Sequence, residues 1–147
     1  MKKMILIITV IFLAIFLFAC VNFIFIEERP EQVFLKNVAK LEDGDIVELK
    51  ELATFDWDIM YVIMPYSDAQ WVNEKHSLNI YSQPDFPYVD LLFIKNDKLV
   101  AEISSARYRK IFYIYLHIEP LFYNYSEDYY FSATRDSQES PVWLYRD

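Results

Sequence analysis

Two carboxylates stand two residues apart in the run Phe55-Asp56-Trp57-Asp58. On an extended strand alternate side chains share a face, so Asp56 and Asp58 would lie close enough for one to raise the pKa of the other. Such a pair is the chemistry of glycoside hydrolysis, and joined by Asp85 or Asp90 it would suit a hard cation such as calcium. The plainer reading is that both carboxylates cap loop backbone where a strand leaves the core. Spacing along one strand brings no third group to them. Asp56, Trp57, Asp58, Tyr61 and Tyr66 are therefore the candidate binding residues, with no catalytic residue, no metal and no cofactor assigned.

Other reactive side chains are few. His76 and His117 are the two histidines. A histidine dyad needs a positioned nucleophile or carboxylate, and the spacing selects none, so both are read as structural or surface residues. The single cysteine, Cys20, sits in an apolar stretch, which leaves the rest of the chain without a disulfide, a thiolate nucleophile or a cysteine metal site. Gly44 is the one glycine, and glycine-rich phosphate loops need several in close spacing. Arg107, Arg109 and Lys110 beside Tyr108, Phe112 and Tyr113 form a basic–aromatic cluster, read as an internal partner for acidic loops. The series Phe122, Tyr123, Tyr125, Tyr129, Tyr130 and Phe131 is denser than one strand face requires, and divides between core filling and a binding surface.

The elements that must position these groups are organised around residues 55–66. Trp57, Ile59, Tyr61 and Ile63 fall on one face and Met60, Val62 and Met64 on the other, the pattern of a strand covered on both sides. Pro65 cannot donate to a ladder and ends it. Upstream, Pro30 suits the first turn of a helix over about residues 31–41, whose stripe is Phe34, Val38 and Leu41. Gly44 stops it, and residues 46–52 read as an edge strand. Downstream, Ser67-Asp68-Ala69-Gln70 has the form of a capping box for a helix over 68–77. Residues 89–95 and 99–104 form a hairpin turned at Asn96-Asp97, and 111–118, 129–134 and 142–145 are further strands. The reading is an α+β fold, a single mainly antiparallel sheet with two short helices.

Residues 4–26 carry no charge and follow Met1-Lys2-Lys3. The stretch is long enough to cross a bilayer core, which takes roughly 20 residues. Three outcomes compete. It stays as one transmembrane helix with Lys2 and Lys3 inside. Or it is a lipoprotein signal, since Leu17-Phe18-Ala19-Cys20 resembles a lipobox except at Phe18, with lipid attached at Cys20. Or it is cleaved after Ala19. Each puts residues 27–147, the length of one domain, outside the cytoplasm; the leading reading is a single-pass anchor, N-terminus inside and domain outside.

All 22 acidic residues follow that segment, where 12 basic residues remain once Lys2 and Lys3 are set aside, a formal charge of −10. Such a body is repelled by nucleic acid phosphates and by anionic lipid head groups, and nucleic acid is excluded as a partner. The partners expected are the membrane, through residues 4–26, and an envelope protein or wall component.

The run Phe55-Asp56-Trp57-Asp58 with Tyr61 and Pro65-Tyr66, followed by Leu92-Phe93-Ile94-Lys95-Asn96-Asp97-Lys98-Leu99-Val100, resembles an uncharacterised family of small bacterial membrane-anchored proteins and lipoproteins. The resemblance implies an extracytoplasmic α+β domain and carries over no reaction. The function expected is a non-catalytic binding or interaction module of the bacterial envelope. The alternatives are a hydrolase using Asp56 and Asp58, and an immunity-type protein that inhibits a toxin or enzyme.

Overall fold

The computed structural model describes residues 28–115 and 122–146. The apolar segment 4–26, Cys20 and His117 lie outside the described residues. The elements run α1 (Pro30–Val38), β1 (Ile46–Glu48), α2 (Leu49–Leu52), β2 (Ile59–Ile63), α3 (Gln70–His76), β3 (Asp90–Lys95), β4 (Lys98–Ser104), β5 (Phe112–Tyr115), β6 (Phe122–Asn124), β7 (Tyr130–Thr134) and β8 (Val142–Arg146). Among the described residues no helix is long and apolar enough to cross a membrane.

The fold class is α+β, but the single sheet expected is two. One has the order β4-β3-β2-β6 and is antiparallel throughout; the other has the order β1-β7-β8-β5, with β5 and β8 parallel. Among the described residues the helices are three rather than two. Residues 46–52 do not continue as one strand: after Glu48 the chain turns into α2, started by a capping box in which Glu48 and Glu51 each accept from the other's backbone N–H. That reciprocal cap forms here and not at Ser67-Gln70. There Ser67 Oγ donates to the Met64 carbonyl at 2.7 Å, Asp68 accepts from the Gln70 N–H at 3.0 Å, and α3 begins only at Gln70.

β2 and β3 are covered on both faces, as the double apolar pattern of residues 55–66 requires. Tyr61, Ile63, Leu92 and Ile94 pack under Ala69 and Val72, at and within the start of α3. Met60, Val62, Leu91 and Phe93 face a larger core shared with Phe34, Leu35 and Val38 of α1, Leu49 and Leu52 of α2, and Phe131, Leu144 and Phe112 of the second sheet. Phe93 lies at its centre, with the rings of Phe34, Phe55 and Trp57 at 6.0, 5.0 and 5.5 Å.

The strand itself is shorter than the run. It begins at Ile59, and the chain bends at Asp58, whose N–H donates to the Ile94 carbonyl and whose carbonyl accepts from Tyr125, both at 2.8 Å. The alternation is broken at that bend. Trp57 joins Met60 and Val62 in the larger core rather than Tyr61 and Ile63, and its indole N–H donates to the Ala53 carbonyl at 3.0 Å. The hairpin is as expected, with Asn96 and Asp97 at φ 49° and 57°, the left-handed pair a two-residue turn needs.

Phe93→Ala is expected to cost about 3–5 kcal/mol of unfolding free energy. Phe86→Ala, at a side chain 69% exposed, is expected to cost less than about 0.5 kcal/mol. Denaturant titration followed by tryptophan fluorescence measures both.

Candidate functional site

The hairpin tip gathers Asp56, Asp58 and His76 of the polar side chains the sequence singles out. β2 starts and β3 ends at this edge of the sheet, since Ile59 pairs with Ile94. Here Lys95 Nζ lies 3.0 Å from Asp56 Oδ1 and 2.9 Å from Asp58 Oδ1. The other oxygen of Asp58 accepts from the Asn96 N–H at 2.9 Å. The two carboxylates therefore converge, but around a cation.

That cation reverses the electrostatics expected of a bare carboxylate pair. The Asn96 N–H, and after it the Lys95 ammonium, hold the Asp58 carboxyl below its ordinary value. Asp58 first, then Asp56, holds the Lys95 ammonium above its own. A hydrolytic pair needs one carboxyl kept protonated to act as acid, and this arrangement favours the ionised form. Asp85 and Asp90 do not join them. Asp90 is at the far end of β3, buried, and accepts from Ser82 Oγ at 2.7 Å. Among the described residues no three histidine, cysteine or carboxylate side chains come together as a metal site.

On the other side of the turn stands a relay the sequence reading did not anticipate. The Tyr61 hydroxyl is 2.8 Å from His76 Nε2, and His76 Nδ1 is 2.7 Å from Asp97 Oδ1. A carboxylate can only accept, so Nδ1 carries a proton and donates to Asp97, while Nε2 shares the second bond with the Tyr61 hydroxyl. Tyr61 is fully buried; Trp71 meets its ring edge-on at 5.0 Å, and Lys75 Nζ lies 5.5 Å from its centroid. This chain of hydrogen bonds locks the end of α3 onto the hairpin, with the phenol sealed inside. A signal for it was present: Val72 and His76 are four residues apart and share a helix face, so a buried Val72 turns the imidazole toward the sheet.

The five candidate residues are thus dispersed. Asp56 and Asp58 share Lys95, Trp57 is core, and Tyr61 is core with its hydroxyl on His76. Tyr66 is at the opposite end of β2, about 17 Å away for a five-residue strand. It is 74% exposed, has the left-handed φ of 62°, and its N–H donates to the Pro84 carbonyl at 2.9 Å. Tyr81 and Phe86, 88% and 69% exposed, belong to the same loop end. Beside them a depression of about 210 Å³ is lined by Asp68, Ala69, Gln70, Asn73 and residues 80–83. Comparison of the chain with protein families, with curated proteins and with solved structures finds no match.

Two outcomes check this geometry. Because the folded-state carboxyl of Asp58 titrates below its unfolded value near 3.8, its contribution is complete above that value and lost as pH falls through the depressed one. Wild type is therefore expected to be more stable than Asp58→Asn at neutral pH, and the two unfolding curves are expected to converge in acid. Tyr61→Phe and His76→Leu are each expected to destabilise by about 1 kcal/mol or more, and the double variant by less than the sum, as a double-mutant cycle measures.

Proposed function

We propose that residues 27–147 are a non-catalytic binding module, held outside a bacterial membrane by residues 4–26 and acting by contact with an envelope protein or wall component. The observation that carries this reading is Tyr66. A bulky side chain in the left-handed region costs about 1–2 kcal/mol, and this one remains 74% exposed, so burial does not offset the cost. Strain of that kind, at a residue whose side chain is exposed, points to recognition.

The surroundings suit the role. Tyr81 and Phe86 add exposed aromatic area at the same end, and aromatic residues supply much of the energy of protein interfaces. The neighbouring depression, about 210 Å³, is below the size of most small-molecule pockets and accommodates one side chain or one sugar ring. The uncharged run of residues 4–26 supports the membrane placement. Nothing in the geometry favours the hydrolase alternative, because Lys95 occupies the space between Asp56 and Asp58.

The reading is tested by replacing Tyr66, Tyr81 and Phe86 together with alanine in the full chain. Detergent-solubilised wild type is expected to retain a specific component of envelope extracts, and the triple variant to lose it at least tenfold with a nearly unchanged melting temperature, since the three side chains are exposed and alanine keeps the Cβ that makes the left-handed conformation costly. Equal retention by both proteins contradicts the assignment.

A further inference from the structure

We propose that the depression beside Tyr81 is a subsite for one uncharged pyranose ring of a wall glycan. The inference rests on the binding-module reading above and deepens it by naming the class of ligand.

The first observation is how firmly Tyr81 is presented. Both of its chain neighbours are pinned from behind. The Asn73 side-chain amide takes both backbone groups of Ile80, donating to the carbonyl and accepting from the N–H, each at 2.8 Å. Ser82 is buried; its carbonyl accepts from the Ala69 N–H at 3.2 Å, and its hydroxyl donates to the buried Asp90 at 2.7 Å. Between these two anchors the Tyr81 side chain stands in solvent. From Tyr81 to Pro84 exposed and buried residues alternate, so Gln83 emerges on the same side as Tyr81. Backbone fixed in this way need not be ordered when a ligand arrives.

The second observation is the chemistry of the wall. The depression, about 210 Å³, is lined by no lysine or arginine and by one carboxylate, Asp68. An anionic ligand finds no counter-charge there. A cationic one meets an exposed carboxylate that already accepts from the Gln70 N–H at 3.0 Å, and exposed ion pairs contribute little. An apolar side chain fits no better, because it would take Asp68 and Gln83 out of water with nothing for them to bond. A sugar ring matches on both counts. Each hydroxyl donates and accepts, which suits a carboxylate standing beside the amides of Gln70 and Gln83. The C–H face of the ring has the exposed Tyr81 ring to lie on.

The third is the neighbourhood of Tyr66. Its N–H donates to the Pro84 carbonyl at 2.9 Å, which puts this exposed tyrosine at the end of the same pinned segment. A glycan longer than one ring therefore has a second aromatic side chain next to the first.

The test titrates the full chain in detergent with chitotetraose, an uncharged tetramer of N-acetylglucosamine, followed by calorimetry. Wild type is expected to bind it. Tyr81→Ala is expected to weaken binding about tenfold and Gln83→Ala about fivefold, the losses of a stacking contact and of one hydrogen bond. Both side chains are exposed, so neither change is expected to move the melting temperature. Tyr81→Trp keeps an aromatic face and is expected to retain binding. Tetralysine bound in preference to the tetramer assigns the depression to a cationic side chain and overturns the proposal, as does tetramer binding indifferent to Tyr81→Ala. A wild type that ignores the tetramer, yet retains its envelope component through Tyr66, Tyr81 and Phe86, overturns the sugar and leaves the binding module. Loss of both overturns both.

Discussion

Strands β2 and β3 carry apolar side chains on both faces, and the arrangement of the whole domain follows from the need to cover that surface twice. α3 closes one face over Tyr61, Ile63, Leu92 and Ile94. The other face needs more, and α1, α2 and the inner side of the second sheet supply it around Phe93. A four-stranded sheet alone would leave Met60, Val62, Leu91 and Phe93 in water, at a cost of about 1.5–3 kcal/mol for each. The second sheet is thus a consequence of the first.

Covering both faces also decides what the two ends of the sheet can do. At the hairpin tip, ionisable groups are committed to one another: Lys95 to Asp56 and Asp58, and His76 to Asp97 and to the Tyr61 hydroxyl. These bonds tie α3 and the approach to β2 onto one turn. A parallel commitment joins α2 to the loop before β7, where Asp128 and then Glu48 push the Lys50 ammonium up to about 12. The groups best suited to chemistry are thereby used in holding the molecule together. The opposite end bears exposed aromatic residues instead, including one in a costly backbone conformation.

Much of this was legible in the chain. The double apolar pattern marked β2, Asn96-Asp97 marked the hairpin, and the stripe of Phe34, Val38 and Leu41 marked α1, because each is a local consequence of side-chain periodicity or turn geometry. What was not legible depends on long-range pairing. No local pattern says that β5 pairs in parallel with β8, or that β1 ends after three residues in favour of α2. The candidate residues were grouped by sequence proximity, and the bend at Asp58 undid that grouping by turning Trp57 into the larger core. Lys95 was invisible as the partner of Asp56 and Asp58, since its approach is set by the register of β2 on β3.

The proposed role is that of a domain held by residues 4–26 and displaying Tyr66, Tyr81 and Phe86 to a partner. Its placement beyond a membrane is the claim on which the binding role stands. The most direct measurement fuses a compartment-sensitive reporter behind Asp147 in a bacterial host. The account predicts an enzyme that folds only after export, such as alkaline phosphatase, to be active there and a cytosol-dependent reporter to be silent. Activity of the cytosolic reporter alone would contradict it.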